Sequence, residues 1–449
     1  MIRPGTEFSA PGTLTFTEKN MNAETERKWM QLYMIEDLGR MTRKYTGDYS
    51  KIMETQEKRV RRLMKIASHH SFYQRRFKEA GIDPEEIKTG NDLAKLPVIT
   101  KDELREWMNY LKDKPEYKGW FQDTTSGSTG KPLTILFSPR EKAYMKANWL
   151  RVMMTAGYNP FFGRTMSRIN MHDPNPGGPD GFIQKFGILR REFVDQYAPE
   201  EEVIDRINEY KPDWLYMNKT ELMRIVLYSN RTGKEIFHPK FYDPISEKVD
   251  ENTRRLFIKI LGPGIVDSYG SAETGACMIR LPGTDEYIIH NDSFVVNIID
   301  DEGRLANEGR IVITPLYKTD LPLINYSIGD KGTCRVENGV RFITSVQGRM
   351  NDYFRYENGE VTSFFEVTPV IAHCSDILQI RFIEETYELI HVQIVRDDKA
   401  QMSREEIENY LETNLNKIFK RPFKFRFEWM NSIPPDKNGK LRMIICNVQ

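Results

Sequence analysis

Between residues 24 and 80 apolar side chains recur every three or four positions, at Trp29, Leu32, Ile35 and Leu38 and again at Val60, Leu63 and Ile66. That repeat lays one stripe of a helix against a core, and Gly81 followed by Pro84 supplies a stop. A shorter helix is expected over 101–111, introduced by Pro97 and Thr100. The first twenty residues have no such repeat. They are polar and broken by Pro4, Gly5, Pro11 and Gly12, the pattern of a loose arm. Beyond Trp120 the texture changes to short β-type runs at 133–137, 265–269, 294–299 and 310–315, interleaved with helical segments at 201–210 and 220–228. This alternation predicts an α/β fold. No self-similarity at 20 to 50 residues is present, which argues against a solenoid.

The last hundred residues read as a separate small α+β unit. Strand patterns at 379–383 and 388–395 precede a capping box, Ser403 with Glu406, that opens a helix to about Phe419, and Phe423, Phe425 and Phe427 then alternate with basic residues. A junction is expected at 348–352, dividing the chain into a large N-terminal domain, 1–349, and a small C-terminal domain, 350–449. Within the first, 1–20 is the arm and 21–115 a mainly helical lead-in.

Composition narrows the classes of function. The 449 residues include 65 Lys and Arg against 65 Asp and Glu, so no net charge draws the molecule toward nucleic acid or an anionic membrane. At roughly 150 residues per domain the length suggests about three domain-sized units, and at 39% hydrophobic and 11% aromatic the chain can build a core. Residues 1–13 carry Arg3, Pro4, Glu7 and Pro11 in place of a basic and then apolar leader, and no uncharged apolar run nears the roughly 20 residues of a membrane helix. Cys277, Cys334, Cys374 and Cys446 are scattered without metal-site or disulfide spacing. The expectation is a reduced, cytoplasmic protein without membrane or nucleic-acid partners.

The densest chemical signal is Thr124-Thr125-Ser126-Gly127-Ser128-Thr129-Gly130-Lys131-Pro132, which concentrates five hydroxyls, two glycines and a lysine. Such a loop can bring N–H and O–H donors up to phosphate oxygens. It is not a Walker A loop, because Thr125 stands where that motif needs its first glycine and Pro132 where it needs Ser or Thr. The apolar run after it predicts a loop between two strands. Taken alone, the string is equally a Ser/Thr/Gly-rich linker.

This loop resembles the phosphate-binding signature of the adenylate-forming superfamily of acyl-CoA ligases, and the surrounding chain resembles its phenylacetate-CoA ligase branch, including that branch's capsule-biosynthesis and cofactor-adenylylating members. The lead-in at 80–87 and 92–101 fits the same branch. Segment 267–275, Asp-Ser-Tyr-Gly-Ser-Ala-Glu-Thr-Gly, is similar to the family's second nucleotide motif. The resemblance implies that Tyr269 lies on adenine, with Ser268, Gly270 and Ser271 beside it, and that Glu273 holds Mg²⁺ against the phosphates. A hard carboxylate oxygen suits that ion. Segment 325–330 resembles the motif whose aspartate, here Asp330, accepts from the ribose hydroxyls. Segment 348–352 resembles the hinge, implying Arg349 on ribose or phosphate and Asn351 as pivot. In 434–440, a turn between two strand-like runs, Lys440 matches the family's C-terminal lysine, expected on a hairpin tip. His172 is a weaker candidate for the acyl pocket, whose residues within 166–182 and 214–224 spell no readable code.

Three departures accompany the resemblance. The chain carries Pro-Ile-Ser-Glu-Lys-Val at 244–249 where relatives have a glycine-containing adenine segment, Asn325 where relatives commonly carry Arg, and a polar stretch at 353–361 in place of an apolar loop. The implied activity is ATP-dependent activation of a carboxylic acid as an acyl-adenylate, with transfer to CoA. An amine acceptor, adenylylation of a cofactor, and a nucleotide-binding protein without turnover are the alternatives. The expected cofactors are ATP, Mg²⁺ and CoA. Oligomeric state is open, with a homodimer unsurprising for the branch.

Overall fold

The computed structural model describes residues 49–125, 133–169, 184–349, 353–436 and 440–448, together with 32, 35, 36 and 39. The chain divides into two compact units, one of residues up to 157 with 268–280 and 284–347, the other of 158–267, 281–283 and 348–449. The expected arm at 1–20 lies outside the described residues. Leu32 and Ile35 are helical but exposed.

The lead-in repeat forms α1 (Tyr49–Ala67) and α2 (Ser71–Ala80), separated where His70 caps α2 by accepting from the Phe72 amide at 3.3 Å. Gly81, at φ +64°, ends α2 as expected. Helix α3 (Lys101–Leu111) opens on a capping box: Thr100 Oγ1 accepts from the Glu103 amide, and the Glu103 carboxylate accepts from the Thr100 amide. Buried Leu104, Trp107 and Met108 of α3 join Val60, Leu63 and Tyr73 of the first two helices in one core. Strands β1 (Phe121–Thr125) and β2 (Leu133–Phe137) then pair antiparallel with Thr125 opposite Leu133, so the loop 126–132 does join two strands. Helix α4 (Pro139–Thr155) follows on a second capping box, Ser138 with Glu141.

The second unit begins with β3 (Arg164–Ile169), β4 (Arg190–Asp195), α5 (Glu200–Tyr210), β5 (Trp214–Asn218), α6 (Lys219–Thr232), β6 (Phe241–Ile245) and α7 (Glu251–Leu261). The strands form a parallel sheet of order β4-β3-β5-β6. The chain departs from β3 to one side and returns to its other side, which makes β3/β5 the topological switch point, and ligands of such sheets gather beyond the carboxyl ends of the strands.

The first unit resumes with β7 (Asp267–Ser271), β8 (Gly275–Arg280), β9 (Tyr287–Ile289), β10 (Phe294–Ile299), β11 (Glu308–Pro315), β12 (Tyr326–Glu337) and β13 (Val340–Arg349) in a sheet of order β10-β11-β12-β13-β9-β8-β7. The Glu141 carboxylate of α4 receives the Asp320 and Leu321 amides, each at 3.0 Å, and so anchors the segment that enters β12.

The C-terminal stretch has a core of its own around Phe354, Phe382, Ile407 and Leu411. The divergent residues 353–361 form a hairpin of β14 (Tyr353–Arg355) and β15 (Val361–Ser363), turned at Gly359 with φ +81°. Helix α8 (Phe364–His373), β16 (Ile377–Thr386), β17 (Leu389–Arg396), α9 (Arg404–Leu415), β18 (Lys424–Met430) and β19 (Ile444–Cys446) complete it. Helix α9 keeps the predicted capping box but stops four residues before Phe419, which turns in to pack edge-on against Phe354 at 4.8 Å.

The expected hairpin at 434–440 is not one. Strand β18 pairs parallel with β17 and β19 parallel with β16, at opposite edges of the sheet β18-β17-β16-β19, so the two strands flanking the segment do not pair with each other. Residues 437–439 lie outside the described residues, while the flanking strands take other partners in apolar registers such as Val392 with Phe427 and Phe382 with Ile444.

Candidate active site

In the first unit, the motif at 267–275 becomes β7, a tight turn and β8. The turn is tied by reciprocal bonds, Ser271 amide to Thr274 Oγ1 and Thr274 amide to Ser271 Oγ, both 3.3 Å. Gly270 is dictated by space, since a Cβ there would lie 2.1 Å from the Gly275 carbonyl oxygen and 2.7 Å from Ala276 Cα. This turn buries Glu273 to 3% exposure while Tyr269 stays half-buried on the strand.

Two further segments meet that turn. Strand β12 begins beside the lead-in, with the Ile99 amide bonded to Asn325 O and the Ser327 amide to Ile99 O, each at 3.0 Å. Tyr326 then donates to Glu273 Oε1 at 3.1 Å, and Lys101 Nζ, at the first position of α3, lies 3.8 Å from the same oxygen. Four residues beyond Tyr326, Asp330 Oδ2 accepts from the Tyr269 hydroxyl at 2.8 Å. Strands β7 and β12 are four places apart in the sheet, so the sheet coils far enough for these side chains to meet.

Electrostatics fixes the protonation of both phenols. Burial first, and the Asp330 charge next, raise Tyr269 well above the ordinary phenol value. Tyr326 is raised in the same way, by burial and then by Glu273. Both are therefore donors at neutral pH. Asn325 has a structural account of its own: at φ +55° it takes the left-handed conformation that Asn tolerates, and its Nδ2 donates to Leu96 O at 2.7 Å. The residue that departs from the resemblance thus pins the lead-in to β12.

In the second unit, Lys440 is half-buried and its carbonyl accepts from the Asp436 amide at 2.8 Å. Asp436 is gripped by Arg381 at 3.2 Å and Arg442 at 2.7 Å. The lysine therefore sits on a segment cross-braced by two guanidinium groups.

The sequence-derived residues are placed unevenly. Tyr269, Glu273 and Asp330 come together, with Ser268, Gly270 and Ser271 on the same strand. Thr125 ends β1 and Arg349 ends β13. Ser126, Gly127, Ser128, Thr129, Gly130, Lys131, His172 and Asn351 lie outside the described residues. Lys101 and Tyr326 were not singled out by sequence reasoning, although both stood inside quoted motifs. The signal was available for Lys101, because the capping box at 100–103 fixes it as the first helical residue.

As for what the site can hold, no group of three or more His, Cys, Asp or Glu poised for a metal occurs among the described residues. The hard oxygens of the buried Glu273 carboxylate still fit Mg²⁺, which takes one or two protein carboxylates and completes its shell with water and substrate phosphates.

Comparison with known proteins places these observations in context. The family model named CapK C-terminal domain matches residues 355–447. Protein CapK of Staphylococcus aureus is 24% identical over 400 residues, covering 86% of this chain and 86% of that protein. A phenylacetate-coenzyme A ligase of Pseudomonas putida is 24% identical over 379 residues, covering 80% and 83%. Among solved structures, 2-hydroxyisobutyryl-CoA ligase in its postadenylation state with 2-HIB-AMP superposes with a TM-score of 0.72 at 16% identity, covering 90% of this chain and 92% of that one. This last likeness establishes a common fold.

Proposed function

We propose that this chain, a relative of CapK and the phenylacetate-CoA ligases with the fold of the adenylate-forming ligases, activates a carboxylic acid with ATP and passes the acyl group to CoA. The observation that carries the reading is that two motifs some sixty residues apart are joined by two bonds, Tyr269 to Asp330 and Tyr326 to the buried Glu273 carboxylate. A binding protein would need a flat ring and a ribose acceptor. It would not need a buried carboxylate suited to a metal ion.

In the first step a carboxylate oxygen of the acid attacks the α-phosphorus of ATP and pyrophosphate leaves. In the second, the acceptor attacks the acyl carbon and the C–O bond to AMP breaks. Residues 125–131 would donate to the phosphates, Tyr269 would cover the base, and Asp330, exchanging its bond from Tyr269, would accept from the ribose. Glu273 would hold Mg²⁺, which supplies charge neutralisation at the phosphates. Lys440 would stabilise charge developing between carboxylate and phosphate. Because a lysine needed in the first step occupies space the second nucleophile requires, the C-terminal domain is taken to pivot near Asn351 between steps. The polar hairpin at 353–361 favours keeping amines in the test as alternative acceptors.

The test is ATP–pyrophosphate exchange across a panel of aryl and aliphatic acids, followed by CoA and simple amines as acceptors with any active acid. Exchange dependent on one acid class, and AMP release dependent on CoA, are expected. Nucleotide binding without exchange for any acid would leave a binder in place of a ligase.

A further inference from the structure

At the carboxyl ends of β5 and β6 the second unit builds a polar grip that the residues assigned so far do not include. The segment after β6 turns at Ser246, which takes φ +74°, a left-handed conformation unfavourable for a residue with a Cβ. That turn carries Glu247 over the start of α6. Glu247 Oε1 accepts from the Thr220 amide at 3.2 Å, and Oε2 accepts from the Thr220 hydroxyl at 2.6 Å. The Leu441 amide donates to both Thr220 Oγ1 and Glu247 Oε2, each at 3.0 Å. Thr220 is 2% exposed, and Leu441 is buried in the core that α6 and α7 share.

Leu441 directly follows Lys440, so fixing its amide fixes where the lysine stem departs. The packing around it is incomplete. A cavity of about 50 Å³ lies alongside, lined by Lys219, Thr220, Asn252, Ile371 and Leu441. The two bonds to the Leu441 N–H act beside the Asp436 amide bond to the Lys440 carbonyl, and they are the ones that tie this stretch to the start of α6. The grip also occupies 244–249, where the backbone accepts the strained left-handed turn at Ser246. Strain of this kind persists only where surrounding structure holds it, and it gathers at sites that use it.

We propose that Thr220 and Glu247 are positioning residues that clasp the Leu441 amide, setting the Lys440 ammonium for the adenylation step and releasing it for acyl transfer. The inference rests on the assignment of Lys440 made above. It predicts a loss confined to one half-reaction, which a merely structural role would not give.

The experiment uses the full chain with Thr220→Val, which keeps the shape and removes the hydroxyl, and Thr220→Ser, which restores it. Hydrogen exchange is followed by mass spectrometry on the peptide carrying Leu441, and needs no acid. Thr220→Val should speed exchange there at least tenfold, and Thr220→Ser should match the wild type. With an acid from the panel, Thr220→Val should lower the kcat of pyrophosphate exchange about tenfold with the KM for ATP within twofold. Consumption of preformed acyl-adenylate by the acceptor should be unchanged or faster. Glu247→Gln provides a second route to the same split if Thr220→Val folds poorly. Unchanged amide exchange, or equal loss in both half-reactions, overturns the clasp. If Lys440→Ala abolishes pyrophosphate exchange while Thr220→Val leaves it intact, the clasp alone fails. If Lys440→Ala leaves it intact, the lysine assignment fails first.

Discussion

Replacing Glu273 separates a structural carboxylate from a catalytic one, because the structure predicts different costs for two substitutions. Glu273 is 3% exposed and its Oε1 accepts the Tyr326 hydroxyl at 3.1 Å. Glutamine keeps an acceptor for that hydroxyl and removes only the charge, so Glu273→Gln should lie within about 1 kcal/mol of wild-type stability. Alanine leaves the Tyr326 hydroxyl, on a residue that is itself fully buried, without its partner, at a further cost of about 1–3 kcal/mol. Both variants lose the charge that would hold the metal at the phosphates. Loss of one preorganised electrostatic group typically lowers turnover by about 10²–10³, or about 2.7–4 kcal/mol of transition-state stabilisation. The assay pairs urea unfolding with ATP–pyrophosphate exchange over a Mg²⁺ titration. The expected result is a shared rate loss with a raised Mg²⁺ requirement, and a stability loss in alanine only. If Glu273→Gln keeps wild-type exchange and Mg²⁺ dependence, Glu273 is a buried acceptor for Tyr326 and nothing more.

Other expectations follow from the same geometry. Lys440→Ala should cut pyrophosphate exchange about 10²–10³-fold with ATP affinity little changed, as kinetics against equilibrium dialysis would show. Tyr269→Phe keeps the ring and frees Asp330 from its 2.8 Å bond, so the KM for ATP should hold within a few-fold, whereas Tyr269→Ala removes the stacking surface and should raise it at least tenfold. Stability should fall as pH drops from 6.5 toward 4. Burial holds His70 down to about 4, so the unfolded chain takes up a proton that the native state refuses, at about 1.4 kcal/mol per pH unit and about 3 kcal/mol in all. Because His70 Nδ1 accepts from the Phe72 amide, His70→Asn should keep the cap and remove this slope, checked by urea unfolding between pH 4 and 7.

Much of the site was legible because its motifs are local. The hydroxyl-rich loop was recognisable between strands, and Thr125 and Leu133 pair across it. The capping box at Ser403 and the expected start after Thr100 both open their helices. What escaped was set by long-range partners. Nothing local marks Thr220 and Glu247, whose meaning depends on an amide more than 190 residues away. Lys101 gains its role only when Ile99 runs beside β12. Asn325 read as a lost cation and is instead a buried left-handed residue tying two segments. The segment at 434–440 carried a genuine turn signal, yet a sheet that pairs its flanking strands with other neighbours overrode the hairpin.

The central claim is that an oxygen of the carboxylic acid attacks the α-phosphorus of ATP. Its most direct measurement is mass analysis of the AMP formed from an acid labelled with ¹⁸O in both carboxylate oxygens, using the acid that supports exchange and CoA as acceptor. The account predicts AMP heavier by one ¹⁸O, with pyrophosphate unlabelled. Unlabelled AMP, or ADP and labelled phosphate in its place, would contradict it.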